Sequence, residues 1–207
     1  MSEPGAAETT GKARRSRRSV FVVLAGLVGI PVAFQKTAGW INSSVMEQPL
    51  MSVHSVPVAL GEVPFETSDG ASHTFADFKG QYLLVNLWAT WCPPCRKEMP
   101  SLEMLQSFFQ SNSRFRVIAL SVDNVSFDQL EAFYSVLDIK TMALYRGNQD
   151  EVMQALGVRG FPTTLLLNPN GMEIARLVGP TLWDNSAVLA QINQLIGNAA
   201  QPMGAMN

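Results

Sequence analysis

Two cysteines, Cys92 and Cys95, are the only ones in the chain, and they frame a pair of prolines, Pro93 and Pro94. Two thiols at that spacing could form a structural staple, a metal clamp, a haem tether or a redox couple. A structural disulfide stabilises by closing a loop, and the gain shrinks with the loop, so a ring this small offers little. Structural zinc takes four protein ligands. The only histidines, His54 and His73, lie well upstream and share no ligand spacing with the cysteines. Covalent haem attachment requires C-x-x-C-H, and here Arg96 follows Cys95. Thiol–disulfide exchange is the chemistry that remains.

The flanking sequence predicts how the pair is held. Tyr82 to Ala89 (Y-L-L-V-N-L-W-A) is an almost unbroken apolar run, which fits a strand covered on both faces. From Pro93 to about Ser111, Met99, Leu102, Leu105, Phe108 and Phe109 recur at helical spacing, with a kink expected at Pro100. Cys92 then falls at a helix N-terminus, where unpaired N–H groups and the helix dipole stabilise a thiolate. Proline is tolerated in that first turn because its missing N–H has no intrahelical partner to lose. Cys95 sits a turn further in, within reach of a sulfur bonded to Cys92.

Around this strand and helix the pattern predicts a hairpin at Asp69-Gly70, then a strand over R-F-R-V-I-A-L-S-V and an amphipathic helix over F-D-Q-L-E-A-F-Y-S-V-L. A short M-A-L-Y strand, a helical piece near Asp150–Leu156, a hairpin turning at Pro169-Asn170-Gly171 and a helix over Leu182–Ile196 complete the order β-β-β-α-β-α-β-α-β-β-α. The expected fold class is α/β, a mixed sheet flanked by helices with an N-terminal hairpin extension.

The N-terminal part is of another kind. Lys12, Arg14, Arg15, Arg17 and Arg18 stand against only Glu3 and Glu8 and lead into Val20–Phe34, a run without charge or amide. Basic residues before an apolar run mark a segment inserted with its N-terminus in the cytoplasm. The run is short for a span and no A-x-A site follows it, so it reads as an anchor more readily than as a cleaved signal. Residues 1–19 are read as a cytoplasmic arm, 20–34 as membrane anchor or signal segment, 35–56 as linker, 57–197 as the folded domain and 198–207 as a flexible tail. With 47% hydrophobic residues, 15% charged residues and a net charge of -2, the composition suits a folded core and gives no reason to expect nucleic acid.

W-C-P-P-C after a strand, with F-P-T-T some way downstream, resembles the thioredoxin superfamily. L-V-N-L-W-A-T-W-C-P-P-C-R-K-E-M-P is similar, more narrowly, to its TlpA/ResA branch of membrane-tethered periplasmic thiol–disulfide oxidoreductases. The resemblance covers about Val58 to Ile196. It implies a thioredoxin-like fold, with Cys92 as attacking thiolate and Cys95 as resolving thiol. Pro162 matches the cis-proline opposite the cysteines, and Trp91, Pro93, Phe161 and Pro162 become a substrate-facing rim. Phe161 has core packing as its plainer reading, and Trp88 and Trp91 that of packing around the site. Where thioredoxin carries a buried proton-transferring aspartate, this chain has Asn86, which does not titrate. Glu98, one helical turn after Cys95, is then the candidate to handle the resolving thiol's proton, against the plainer reading of a surface glutamate paired with Arg or Lys.

The resemblance implies no cofactor beyond the Cys92–Cys95 dithiol and disulfide. It implies copper-delivery proteins, oxidase subunits or apocytochromes as clients, and a membrane thiol transporter as electron source. Two other functions compete: the same chemistry run in reverse as an oxidant or isomerase, and a copper metallochaperone using the cysteines and some of the ten methionines. A peroxidase would call for a lone peroxidatic cysteine in another context.

Overall fold

The computed structural model describes residues 50–198, which fold around one mixed sheet of eight strands. In chain order these are β1 (Ser52–Val58), β2 (Phe65–Glu66), β3 (Ser72–His73), β4 (Tyr82–Trp88), β5 (Phe115–Ser121), β6 (Leu144–Gly147), β7 (Thr163–Leu167) and β8 (Glu173–Val178). Four helices complete the fold: α1 (Pro93–Phe108), α2 (Phe127–Val136), α3 (Gln149–Leu156) and α4 (Ser186–Asn198). Across the sheet the order is β1-β8-β7-β4-β5-β6-β2-β3. β4 runs parallel to β5 and β5 parallel to β6, while β7 pairs antiparallel with both β4 and β8.

The centre of the sheet follows from its residues. Every residue of β4 is buried, as is every residue of β7, and only strands covered on both faces are buried along their whole length. Against them pack the inward sides of the helices, with Met99, Leu102 and Leu105 of α1 and Val188, Ile192 and Ile196 of α4 all buried. The parallel β4–β5 pair needs a crossover, which α1 supplies. That connection puts the start of α1 at the C-terminal end of the central strand.

Four expectations require correction. Residues up to 56 were expected as tether and the domain from 57, yet β1 begins at Ser52 and pairs with β8, Ser52 opposite Arg176 and Val53 opposite Ala175. β1 is almost wholly exposed, so its sequence lacks the apolar alternation that marks a half-buried strand. Backbone pairing holds it instead, together with a reciprocal bond between Met51 and Gln191: Met51 N–H donates to Oε1 at 2.9 Å and Nε2 donates to the Met51 carbonyl at 2.9 Å. Second, α1, which runs through Pro100, closes at Phe108 rather than near Ser111. Third, Phe108, expected on the apolar face of that helix, is 59% exposed. Fourth, α4 starts at Ser186 rather than Leu182, because Thr181 and Trp183 are drawn inward to α1.

At Asp69-Gly70 the chain turns tightly between β2 and β3, which pair over two residues each. The Thr67 hydroxyl donates to the Asp69 carboxylate at 2.6 Å, and Gly70 takes φ of 80°, a region glycine enters without steric cost. The basic arm, the apolar run, the linker up to residue 49 and the tail from residue 199 lie outside the described residues.

Candidate active site

Cys92 is the N-cap of α1, with extended backbone, and its sulfur accepts from the Cys95 N–H at 3.3 Å. Pro93 and Pro94 fill the first helical turn, where no backbone donor is wasted. Cys92 is joined to Cys95 by a disulfide. Cys92 is 5% exposed and Cys95 fully buried, so a partner arriving from solvent meets the Cys92 sulfur first. Pro93 is exposed beside it.

The loop leading into the pair is pinned from the next strand. Asp123, buried just after β5, accepts from Thr90 N–H at 2.8 Å, from Thr90 Oγ1 at 3.0 Å and from Ser121 Oγ at 3.0 Å. These bonds fix the backbone two residues before Cys92. Next along, Trp91 is 59% exposed and meets the half-buried Phe161 edge to face, with ring centroids 5.9 Å apart. Phe161 precedes Pro162 across a cis peptide bond. Pro162 is buried at the start of β7, and its carbonyl accepts from Gly179 N–H at 2.9 Å. Trp91, Pro93 and Phe161 thus form the solvent-facing rim of the cysteine pair.

Trp88 lies deeper. It is fully buried, with its ring 5.4 Å from that of Phe133 and 5.9 Å from that of Tyr134. It braces the end of β4 against α2 and makes no part of the rim.

Beneath the cysteines lies a buried carboxyl group. Glu98 is 1% exposed, and it pairs with no Arg or Lys, so the plainer surface reading does not describe it. Its Oε1 accepts from Asn86 Nδ2 at 2.7 Å; its Oε2 accepts from Thr181 N–H at 3.2 Å and from Trp183 Nε1 at 3.3 Å. Burial pushes its pKa up to about 7, against the pull of these three donors, which favour the ionised form. A carboxyl group poised there can take or give a proton near neutral pH. Cys95 and Glu98 are buried on the same side of α1, one turn apart.

Asn86, fully buried on β4, also donates to Thr164 Oγ1 at 2.9 Å. One side chain therefore ties α1 to β7, two residues beyond Pro162. Ser101 adds a second tie, accepting from Trp183 N–H at 3.1 Å and donating to the Glu98 carbonyl at 2.8 Å. Thr164, Thr181, Trp183, Ser101 and Asp123 were not singled out from sequence. Each has at least one partner far off in the chain, which local spacing does not reveal.

On the far side of Trp91 a cleft of about 730 Å³ runs along the ends of β2 and β6 to the start of α3, lined by Glu66, Asp123, Arg146, Asp150 and Glu151 among others. Arg146 bridges it, donating to Glu66 and stacking 4.4 Å from the Phe127 ring centroid.

Residues 54–192 match the Redoxin family. ResA, a thiol–disulfide oxidoreductase of Geobacillus thermodenitrificans, is 30% identical over 114 residues, 55% of this chain and 63% of that protein. The thioredoxin-like protein YneN of Bacillus subtilis is 31% identical over 107 residues, 52% of this chain and 62% of that one. The match therefore spans less than two thirds of either relative. Among solved structures, the thioredoxin domain of a Bacteroides vulgatus thiol-disulfide oxidoreductase superposes with a TM-score of 0.57 at 20% identity, covering 69% of this chain and 99% of that one. That likeness shows a thioredoxin-like fold. With the cysteine pair at the head of α1 and the family match covering most of the described residues, the chain belongs to the Redoxin family, with ResA among the proteins it is similar to.

Proposed function

We propose that this protein is a thiol–disulfide oxidoreductase that reduces disulfides in client proteins outside the cytoplasm. One observation carries the reading: Cys92 caps α1 at the surface-facing end of a disulfide whose other sulfur, Cys95, is buried. In the reduced state the Cys92 thiolate attacks one sulfur of a client disulfide. A mixed disulfide forms and the first client thiolate leaves. The Cys95 thiol, losing its proton to Glu98, attacks the Cys92 sulfur and releases the second client thiolate. Two electrons have moved to the client, and Cys92–Cys95 is left oxidised.

Each part has a physical warrant. A thiolate at a helix N-terminus is stabilised by free N–H groups and the dipole. The buried resolving thiol cannot be reached by a second client, so resolution stays intramolecular. Trp91 and Phe161 present apolar surface beside the reacting sulfur, and Pro162 supplies backbone without a donor.

The location follows from the basic arm and the Val20–Phe34 apolar run: the domain sits outside the cytoplasm, tethered to the inner membrane through its N-terminal segment. In that setting the oxidised pair needs electrons from a membrane thiol transporter. Copper-delivery proteins, oxidase subunits or apocytochromes are the clients that the ResA-like character points to, in cytochrome oxidase or cytochrome c assembly. The test is a turnover assay with a disulfide-bonded protein and a dithiol reductant. Catalysis lost in Cys92→Ala supports the function; equal rates with and without the protein reject it.

A further inference from the structure

Asn86 occupies an unusual chemical position. Its Nδ2 donates both of its protons, to Glu98 Oε1 at 2.7 Å and to Thr164 Oγ1 at 2.9 Å. Its Oδ1 is buried and has no hydrogen-bond partner among the described residues. A buried acceptor left unpaired costs free energy, so this arrangement persists only because the other end of the amide is well used.

The surroundings of Glu98 explain what the unpaired end is for. Every group bonded to its carboxyl oxygens is a donor: Asn86 Nδ2, the Thr181 N–H and the Trp183 indole N–H. That set suits a carboxylate and leaves a protonated carboxyl group with no place for its O–H. The Thr181 N–H is backbone and the indole nitrogen is donor-only, so neither can reverse. No charged side chain from β4, β7 or the segment before α4 forms an ion pair with Glu98; the one titratable group on its own helix face is the Cys95 thiol. Of these three bonded groups, the amide of Asn86 alone holds both a donor and an acceptor, and its two ends are almost the same size.

We propose that Asn86 is the positioning residue for proton transfer at Cys95: its amide donates to the Glu98 carboxylate, and turns end for end when Glu98 takes the proton, so that Oδ1 accepts the new carboxyl O–H. Thr164 follows, because its hydroxyl can accept from Nδ2 in one state and donate to Oδ1 in the other. The proton leaves the Cys95 sulfur and bonds to a Glu98 oxygen. The Cys95 thiolate then attacks the Cys92 sulfur of the mixed disulfide, the S–S bond to the client breaks, and the client thiolate carries away the electron pair. Glu98 later returns its proton to solvent or to the departing thiolate, and the amide turns back. This inference rests on the exchange reaction proposed above.

The experiment has two arms, both on the purified full-length chain. In the first, the side-chain amide of Asn86 is followed by NMR from pH 5 to 9, identified by its loss in Asn86→Leu. The Nδ2 signals should titrate with the Glu98 carboxyl carbon at a shared midpoint and stay still in Glu98→Gln. Nδ2 signals that ignore the Glu98 titration overturn the proposal, and this arm needs no variant at Asn86 to fold well. In the second, single-turnover reduction of a disulfide peptide is measured against pH. Losing the Nδ2 donor should move the profile of Asn86→Leu to higher pH by about one unit; a profile superposed on wild type overturns the proposal. A Glu98→Gln profile identical to wild type would instead remove the catalytic role of Glu98 on which the inference stands, while the amide titration still reports the turn itself.

Discussion

The Glu98 carboxylate accepts a hydrogen bond of 2.7 Å from the amide of Asn86, in a part of the core where neither side chain meets solvent. Asn86 stands in the strand that leads to Cys92, and Glu98 in the helix that begins there. The contact therefore joins the two elements that hold the redox pair, and it places a titrating group one turn below Cys95.

Stability should respond to that group in a defined window. Glu98 has a pKa of about 7 in the folded protein against an ordinary 4.5. Between those values the folded state holds more protons than the unfolded one, so stability falls as pH rises and levels off above 7. The shift corresponds to about 3 kcal/mol lost over that window. Chemical denaturation from pH 4 to 8 should show this decline in wild type and its absence in Glu98→Gln.

Trp183→Phe keeps the ring in the core and removes one donor to Glu98 Oε2. The loss should cost about 1–2 kcal/mol above pH 7, where the carboxylate needs the donor, and clearly less at pH 5. Urea midpoints at the two pH values test the difference; equal losses at both would mean that the indole N–H does not act on the charge.

Asp123→Ala should release Thr90 and with it the loop before Cys92. Three hydrogen bonds disappear, and the expected destabilisation is about 2 kcal/mol. Because the loop sets the position of the nucleophile, the rate of reaction with a disulfide peptide should fall beyond what unfolding accounts for, by roughly tenfold. Stopped-flow rates measured well below the unfolding temperature give the comparison.

At the other edge of the sheet, Glu173 is buried, with Arg176 donating from Nη2 at 2.7 Å and His54 Nε2 lying 2.8 Å from its carboxylate. Burial alone would raise its pKa, but the hydrogen bonds from Arg176 and His54, with their charges, outweigh it and hold the group below its ordinary value. Its stabilisation is therefore present above the unfolded value of 4.5 and lost as pH falls below it. Arg176→Leu strands the carboxylate and should cost about 3 kcal/mol at pH 7, with a smaller loss at pH 4. Thermal melts at both values check the sign.

Much of the site could be read from local sequence because its parts are local. The cysteine pair, the prolines of the first turn and the buried strand before them all lie between Tyr82 and Cys95, and burial and helix geometry act over that range. The order of the central strands and helices followed from apolar periodicity. What escaped was held by distant or backbone contacts. β1 has no buried face, so nothing in S-V-H-S-V-P-V announces a strand; β8 supplies its partner 119 residues away, as the His54–Glu173 contact shows. Glu98 could be placed near Cys95 by helical spacing. Its burial depended on Trp183, separated from it by 85 residues in the chain, and no periodicity carries that information.

The direct test of the account is to trap the mixed disulfide. Reduced Cys95→Ala protein is mixed with a peptide containing one disulfide, and the product is analysed by intact mass and peptide mapping without reductant. The account predicts one covalent adduct, on Cys92, that dithiothreitol reverses, and none with Cys92→Ala. An adduct that forms on Cys95 when Cys92 is replaced, or no adduct on Cys92 at all, would contradict it.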